Sequence, residues 1–479
     1  MRSNLWSGIL ASVLSAAAFF FGTGLHPHWW LTWLAAIPVL LFAYRASAKL
    51  AFVAACLAFF LGGLNLWIYY DILQLPIAVR ILAFVGPALV FTCGVMVSRA
   101  FFLRGSQWLA ALSLPAVWVS FEYLFSLGAN GTALNLAYSQ MNFLPILQIA
   151  SVTGIWGISF VLFFFSSAVA ITVSAHESAR KFAAVSAASI VAVLAFGFAR
   201  LNVIPLGEHI RIGLAATDRR PLLADNETDV AGIVDAYTRA IDQLAAQGAQ
   251  IVVLPEKIGP VTSDTSGPSL DAIAAAAAKN RVTVVAGFDR HDAPLKHNLS
   301  FVFDATGKLD TVYEKHYMVP HWEDGYERGT QVAILSDPHP HWATAICKDM
   351  DFPTLSQQYG RRGAQLMLVP AWDFTVDDWL HGRMAILRGV ESGFAIARSA
   401  KQGLMTLTDN RARVLAQQHS STGMGSVLGE ITLSQDRTLY SRFGDWFAWL
   451  TLAVAALLIV TRYAVKPTAD KSKVSGAGE

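Results

Sequence analysis

The sequence predicts two parts of different class, a polytopic α-helical membrane domain with eight spans and an α/β domain inserted before the last span. Of the 479 residues, 54% are hydrophobic and 15% are charged, whereas soluble proteins average roughly 45–50% and 25%. Charged residues are sparse as far as Arg200 and frequent from Glu208 to Asp445. The two regions therefore face different solvents.

The membrane part is predicted from apolar segments long enough to cross about 30 Å of hydrocarbon. They lie at 5–23, 29–44, 50–70, 77–98, 107–125, 144–174, 183–199 and 445–461, and the second is rather short. A signal peptide is the alternative for the first segment. No Ala-x-Ala cleavage pattern follows Phe21, so we favour a retained helix.

Lysine and arginine in the short connections predict the orientation of the spans. The connections on the N-terminal side of the membrane carry Arg2, Arg45, Lys49, Arg99, Arg104, Arg180, Lys181, Arg462, Lys466, Lys471 and Lys473. The opposite connections carry only Arg80 and Arg200. We therefore expect both termini in the cytoplasm and the polar domain on the extracytoplasmic side.

These boundaries divide the chain into four parts. We expect a membrane domain of seven helices over 1–204, an extracytoplasmic domain over 205–443 and an eighth transmembrane helix over 444–465. The tail 466–479 is polar, and we expect it to be disordered in the cytoplasm.

The polar domain shows short β-rich runs separated by amphipathic helices, which is typical of α/β layers. The predicted strands are His209–Thr217, Gln250–Leu254, Val282–Phe288, Leu299–Phe303, Thr311–Tyr313, Trp342–Ile346, Leu366–Val369, Leu404–Thr408 and Val414–Gln417. The predicted helices are Asp229–Ala246, Leu270–Ala278 and Asp377–Ala397.

Cys347 is the candidate nucleophile of this domain. It is the one cysteine outside the apolar spans, which hold Cys56 and Cys93, and it follows the predicted strand Trp342–Ile346. A thiol at a strand end is held by the sheet while the loop beyond it admits substrate. The alternative for a single cysteine is a buried and inert side chain.

Two further strand ends supply groups that a thiol needs. A cysteine of ordinary pKa is only a few per cent thiolate at neutral pH, so it requires a base or a nearby cation. Glu256 ends one predicted strand and is a candidate base. Lys315 follows another and can stabilise the thiolate and the oxyanion formed on attack at a carbonyl.

Three stretches match, in order and spacing, the Glu-Lys-Cys triad of the nitrilase, or carbon–nitrogen hydrolase, superfamily. They are Leu254-Pro255-Glu256, Tyr313-Glu314-Lys315-His316 and Ile346-Cys347-Lys348-Asp349. With seven spans before the polar domain and one after it, the whole chain resembles the apolipoprotein N-acyltransferase family. Asn135 to Gln140 and Gly154 to Phe160 resemble that family's Gly-Tyr-Ser-Gln and Gly-Val-x-Gly-Val-Ser-Phe stretches.

The resemblance implies a protein of the bacterial inner membrane with an α-β-β-α sandwich on its extracytoplasmic side. It implies Glu256, Lys315 and Cys347 as the catalytic triad. It implies transfer of an acyl chain from a membrane phospholipid, through a Cys347 thioester, to the α-amine of the diacylglyceryl-cysteine of a lipoprotein. Because residues 315–323 resemble the family's Lys-x-x-Leu-Val-Pro-Phe-Gly-Glu, Glu323 takes the place of its accessory glutamate.

Several departures leave a second function open, that of a membrane-anchored amidase acting on an amide or nitrile. The family's Cys-Tyr-Glu is here Cys347-Lys348-Asp349, and the next residues resemble soluble nitrilase-type amidases. Only 24 positions separate Glu323 from Cys347, so the family's mobile arm is shortened. A third reading is a scaffold that binds lipids without catalysis.

Four accessory residues complete the predicted site. Lys348 and Asp349 follow the nucleophile directly, and Trp372 is expected either to wall an acyl pocket or to pack in the core. Glu391, on the predicted helix Asp377–Ala397, either supports Lys315 or the substrate amine or forms a salt bridge on its own helix.

We expect no cofactor and no metal, since Pro338-His339-Pro340-His341 is too short to indicate a metal site. The net charge of +2, without a lysine-arginine patch, argues against nucleic acid as a partner. The expected partners are the bilayer, a phospholipid donor and a lipoprotein acceptor, with the protein a monomer.

Overall fold

A computed structural model describes residues 2–175, 179–220, 227–261, 267–292, 295–336, 339, 341–434 and 436–464. The tail 466–479, predicted to be disordered, lies outside these residues. The chain divides into two compact units. The first runs to Tyr123 and includes Trp156–Val193 and the segment from Phe447 onward, and the second contains Leu124–Ile155 and Leu194–Trp446.

The N-terminal region is helical throughout. Its helices are α1 (Arg2–Gly22), α2 (Trp29–Leu34), α3 (Ile37–Ala43), α4 (Ala48–Gly63), α5 (Trp67–Ile72), α6 (Ile77–Phe102), α7 (Gln107–Ser126), α8 (Leu144–Leu147), α9 (Ala150–Thr153), α10 (Trp156–Ala175) and α11 (Arg180–Asn202). Within the described residues, six segments are long and apolar enough to cross a membrane: Leu5–Gly22, Ala48–Ile72, Ile77–Phe102, Gln107–Ser126, Trp156–Ala175 and Arg180–Asn202. The predicted segments at 29–44 and 445–461 correspond to shorter apolar helices.

The predicted span at 144–174 is wrong in its first part. Residues 144–153 form the two short helices α8 and α9, and the long helix begins only at Trp156. Gly154 adopts a positive φ of 68°, a conformation that interrupts a right-handed helix and that glycine tolerates best. Continuous hydrophobicity concealed this break.

The second unit contains two sheets. Their strands are β1 (His209–Ala216), β2 (Ile251–Val253), β3 (Pro260–Val261), β4 (Thr283–Asp292), β5 (Leu295–Phe303), β6 (Leu309–Glu314), β7 (Ala333–Ile334), β8 (Trp342–Thr344), β9 (Leu366–Trp372), β10 (Ala395–Lys401), β11 (Leu404–Thr408), β12 (Val414–His419) and β13 (Gly425–Thr432). One sheet has the order β13-β1-β2-β4-β5-β6, with β3 paired to β4, and the other has the order β12-β11-β10-β9-β8-β7.

Three apolar cores arrange these sheets and their helices as α-β-β-α layers. The helices of this unit are α12 (Glu227–Ala246), α13 (Pro268–Asn280), α14 (Pro353–Arg361), α15 (Asp378–Ser392) and α16 (Leu439–Phe443). The next helix, α17 (Trp446–Ala464), belongs to the first unit from Phe447 onward. Side chains of both sheets, such as Ile212 and Leu368, share the central core. Residues of α12 and α13 pack on the outer face of the first sheet, and residues of α14 and α15 pack on that of the second.

Two predictions within this domain are wrong in detail. The helix predicted over Asp377–Ala397 ends at Ser392, because Gly393 closes it in the left-handed conformation at φ 85°. The apolar residues that follow form β10 instead, a fully buried strand parallel to β9. The prediction also missed β13, which pairs antiparallel with β1 along its whole length.

Candidate active site

Cys347 lies at a sharp turn directly after β8. Ile346 is still extended, Cys347 has a positive φ of 42°, and a 3-10 turn runs from Cys347 to Asp351. A positive φ is strained for a residue with a side chain and is common where a reactive group must be presented. The side chain is 6% exposed, and its Sγ donates to the carbonyl oxygen of Trp372, at 3.4 Å.

Lys315 lies between two carboxylates. Its Nζ donates to Glu256 Oε1 at 2.9 Å and to Glu323 Oε2 at 2.8 Å. All three side chains are at most 5% exposed. Gly287 of β4 permits this packing, because a Cβ there would lie 2.5 Å from the Cα of Glu256. Two of the predicted residues, Glu256 and Lys315, are therefore in direct contact, and the accessory Glu323 joins them.

Two residues that the sequence analysis missed complete this cluster. Asn298, in the middle of β5, donates through Nδ2 to Oε1 of both Glu256 and Glu323, at 2.5 and 2.8 Å. Lys257 Nζ lies 2.9 Å from Glu323 Oε1. We call Glu256, Lys257, Asn298, Lys315 and Glu323 the buried charge cluster. The available signals were position in the chain: Asn298 directly precedes the predicted strand Leu299–Phe303, and Lys257 directly follows Glu256.

Electrostatics keep Lys315 and Glu323 of this cluster charged. Burial lowers the pKa of Lys315, but Glu256 and Glu323 outweigh it and hold that pKa well above its ordinary value. Burial raises the pKa of Glu323, but Lys315 and Lys257 overcome it and lower the pKa to about 2. The ammonium group of Lys315 is thus fixed between two carboxylates.

The thiol behaves differently. Burial, followed by the charge of Glu256, raises the pKa of Cys347 well above its ordinary value, and Lys315 offsets only part of this. Cys347 is therefore a neutral thiol at rest, and attack on a substrate requires that its proton be removed during the reaction. Glu256 is the carboxylate whose charge acts most strongly on it, as a general base requires.

A cavity of about 500 Å³ opens beside the buried charge cluster. It is lined by residues between 317 and 328, by residues 127–129 and by Phe352. Glu323 contributes to its wall, so a ligand in the cavity lies next to the carboxylate that holds Lys315.

Known proteins match both the helical N-terminal region and the α/β domain of this chain. Residues 11–168 match the model of the apolipoprotein N-acyltransferase N-terminal domain, and residues 215–435 match the carbon-nitrogen hydrolase model. The apolipoprotein N-acyltransferase of Geobacter metallireducens is 26% identical over 95% of both chains, and that of Gloeobacter violaceus is 24% identical over 96% of this chain and 95% of its own.

The chain is therefore similar over nearly its whole length to apolipoprotein N-acyltransferases. An amidase of the nitrilase superfamily from Nesterenkonia is a distant structural relative, with a TM-score of 0.42 and 20% identity over 55% of this chain and all of its own. The resemblance seen in the sequence is therefore confirmed for the family. The predicted α/β domain of nitrilase type is confirmed as well.

The residues that depart from the family pattern lie directly beside the nucleophile. Asp349 is fully buried, and its Oδ1 accepts from the backbone N–H of His316 and Tyr317, at 3.1 and 2.9 Å. Its Oδ2 accepts from Tyr313 Oη at 2.7 Å and from the N–H of Ile346 at 3.0 Å. Asp349 thus ties the Cys347 turn to the loop that begins at Lys315, which is a positioning role.

Lys348 points away from the buried charge cluster. Its Nζ lies 3.3 Å from Asp351 Oδ2 and 5.9 Å from the ring centroid of Phe352. Phe352 also lines the cavity. Lys348 is thus paired with Asp351 and lies over a ring that lines the cavity.

Trp372 ends β9 and contacts the site through its backbone. Its carbonyl accepts from Cys347, whereas its ring is covered by Lys401, whose Nζ lies 3.7 Å from the centroid. Lys401 Nζ also donates to the carbonyl of Lys257 at 2.9 Å. Burial lowers the pKa of Lys401 to about 7. The sequence analysis did not identify Lys401, since a helix was predicted as far as Ala397.

Glu391 is not brought to the cluster. Its Oε2 lies 3.0 Å from Arg388 Nε on the same helix, and its Oε1 accepts from the backbone N–H of Ile155 at 2.6 Å. Of the two roles considered for Glu391, this geometry matches the salt bridge on its own helix. Burial raises its pKa to about 7, because one arginine does not compensate for the loss of water.

Proposed function

We propose that this chain transfers an acyl chain from a membrane phospholipid, through a thioester on Cys347, to the α-amine of the N-terminal diacylglyceryl-cysteine of a lipoprotein. The observation that carries the proposal is Lys315 held between Glu256 and Glu323 beside a buried thiol at a strained turn. Similarity to apolipoprotein N-acyltransferases over nearly the whole chain supports the choice of substrates.

In the first half-reaction, Glu256 accepts the proton of Cys347 as Sγ attacks an ester carbonyl of the phospholipid. The oxyanion of the tetrahedral intermediate takes a hydrogen bond from Lys315, whose ammonium has three N–H groups and uses two for the carboxylates. Collapse breaks the ester C–O bond. The leaving lysophospholipid oxygen takes the proton from Glu256, which returns to its charged form.

In the second half-reaction, the neutral α-amine of the acceptor attacks the thioester carbonyl. Glu256 removes a proton from the amine nitrogen, and Lys315 again stabilises the oxyanion. Collapse breaks the C–S bond, and the proton returns from Glu256 to Sγ. The products are the amide and the resting thiol.

We further propose that the chain crosses the bilayer eight times, with seven helices in 1–204 and the last in 444–465. The lysine and arginine distribution supports cytoplasmic termini and an extracytoplasmic domain at 205–443 in the bacterial inner membrane. Both substrates are confined to the bilayer, so a site tethered at both ends near its outer surface meets them without release into water.

The test is intact-mass analysis of the purified protein after incubation with phospholipid. We expect a mass increase of one acyl group on the wild type, none on Cys347→Ala, and loss of the adduct when a diacylglyceryl lipopeptide is added. Acylation of the lipopeptide by an enzyme that never carries the adduct would overturn the thioester route.

The amidase reading gives a different result in the same experiment. An amidase would release the acyl group to water at the same rate with and without lipopeptide. Transfer of the acyl group to the lipopeptide amine therefore separates the two functions.

A further inference from the structure

The cavity beside the buried charge cluster is lined by both apolar and charged residues. Leu127, Met318 and Pro320 contribute the apolar part, and Glu323, Asp324 and Arg328 contribute the charges. The charge of Glu323 is already matched by Lys315 and Lys257. An occupant of this cavity is therefore an amphiphile rather than a purely apolar chain.

Arg328 is the available cation of this cavity. Its side chain is exposed, and it has no hydrogen bond or ion pair with any residue in the part of the chain that the structure describes. An arginine that lines a cavity and is not committed to a protein carboxylate has its planar set of N–H donors free for a ligand.

The backbone fixes Arg328 relative to the catalytic lysine. The N–H of Gly329 donates to the carbonyl of Lys315 at 2.9 Å, and the N–H of Glu327 donates to that of Lys296 at 2.8 Å. Gly329 is required for this approach, because a Cβ there would lie 2.1 Å from the carbonyl oxygen of Glu314. The position of Arg328 is thus set by bonds on both sides.

We propose that Arg328 binds the phosphate of the acyl donor, and that the cavity holds the glycerol phosphate portion while the ester reaches Cys347. The inference rests on the proposed function and names the part of the donor that the site recognises. A guanidinium suits phosphate because it forms two parallel charge-assisted hydrogen bonds. The apolar part of the lining is complementary to the beginning of the acyl chains.

Charge favours the phospholipid donor over the lipoprotein acceptor as the occupant of the cavity. The acceptor presents an amine that is cationic when protonated and carries no phosphate, so Arg328 would repel it. Inorganic phosphate offers Arg328 the same anionic group as the phospholipid but lacks its acyl chains. Competition between inorganic phosphate and the phospholipid donor distinguishes the two sources of phosphate.

The test measures the rate of Cys347 acylation for wild type, Arg328→Gln and Arg328→Lys with two donors, a phospholipid and the p-nitrophenyl ester of the same fatty acid. We expect Arg328→Gln to raise the phospholipid concentration for half-maximal rate by about 10- to 100-fold. The rate with the phosphate-free ester should stay within about twofold, and Arg328→Lys should recover part of the loss because it keeps the charge.

The matched control is Arg362→Gln, which removes another exposed arginine, one that donates to Gln358 on its own helix and lies outside the cavity lining. It should leave both donors unaffected. Inorganic phosphate should compete only weakly, at millimolar concentration, since it lacks the apolar portion.

Two results would overturn the assignment: an equal loss with both donors in Arg328→Gln, or a normal first half-reaction with slow transfer to the lipopeptide. Failure of the proposed function is separate, because it appears as a wild type that phospholipid never acylates although the phosphate-free ester does.

Discussion

Two buried glutamates in the second unit, Glu323 and Glu391, have similar burial and opposite electrostatics. Glu323 is 5% exposed and Glu391 is 0% exposed. Glu323 has two lysines within 2.9 Å and accepts from Asn298 and Val319, so its pKa falls to about 2. Glu391 has one arginine and one backbone N–H, and its pKa rises to about 7.

The difference shows that burial does not by itself decide the charge of a group. The cations and donors that replace water decide it. At the candidate active site, two carboxylates raise the pKa of Lys315 and two lysines lower the pKa of Glu323, so both of these groups stay ionised. In helix α15, Glu391 pairs with Arg388 and accepts from the N–H of Ile155, and its carboxyl group changes protonation near neutral pH.

The largest expected effect comes from removing the charge of Glu323. Glu323→Gln keeps the shape but removes the carboxylate that holds Lys315 in place, so we expect the rate of Cys347 acylation to fall by at least about 100-fold. The measurement is adduct formation by intact mass. Glu391→Gln is the matched control and should leave the rate within about threefold, and equal losses in the two variants would contradict the comparison.

A smaller loss is expected from Lys257→Met. This change removes one of the two lysines beside Glu323 and leaves Lys315 in place, so we expect about a 10-fold slower acylation. The pH profile should distinguish this effect from misfolding, because a Glu323 of less depressed pKa would shift the acidic limb of the profile upward. A profile that keeps its shape while the rate drops would argue against this explanation.

The stability of the domain should depend on pH through Glu391. Its pKa in the folded state, about 7, lies above the ordinary 4.5, so its contribution is fully present below about pH 4.5 and is lost as the pH rises through about 7. The loss amounts to about 3 kcal/mol for a fully buried group. The melting temperature of Glu391→Gln should therefore rise relative to that of wild type as the pH increases through this range. A difference in melting temperature that stays constant with pH would contradict the raised pKa of Glu391.

The smallest effect on rate is expected at Lys401, a buried cation whose contacts are a carbonyl and a ring. Burial lowers its pKa from 10.5 to about 7. In wild type, its contribution to stability is present above about pH 10.5 and is lost as the pH falls through about 7. Lys401→Met should thus raise the melting temperature most near neutral pH, with acylation slowed about threefold by loss of the hydrogen bond to the Lys257 carbonyl. An unchanged melting temperature from neutral to alkaline pH would contradict the lowered pKa.

The sequence predicted the parts of this molecule that local pattern controls. Strand-end positions led to Glu256, Lys315 and Cys347, which follow β2 and β6 of one sheet and β8 of the other, and the two sheets pack on a shared core. Asn298 was missed because its role depends on two carboxylates from distant segments. Lys401 was missed because hydrophobicity alone does not distinguish the end of α15 from the start of β10, where Gly393 makes the change.

The same limit applies to the helical region. Apolar length located six membrane-crossing candidates among the described residues but did not reveal that residues 144–153 form two short helices. Glu391 could not be assigned from sequence, because the choice between Lys315 and Arg388 as its partner depends on the direction in which α15 faces.

The neutral state of the Cys347 sulfur determines how the resting protein withstands chemical damage. Peroxide and alkylating reagents attack the thiolate, and a protonated, 6% exposed thiol is a poor target for both. Iodoacetamide should alkylate Cys347 slowly in the protein without substrate. Cys347 should also remain largely unoxidised during long storage in air. In the proposed reaction, this sulfur gives up its proton only as it attacks a carbonyl carbon of the substrate.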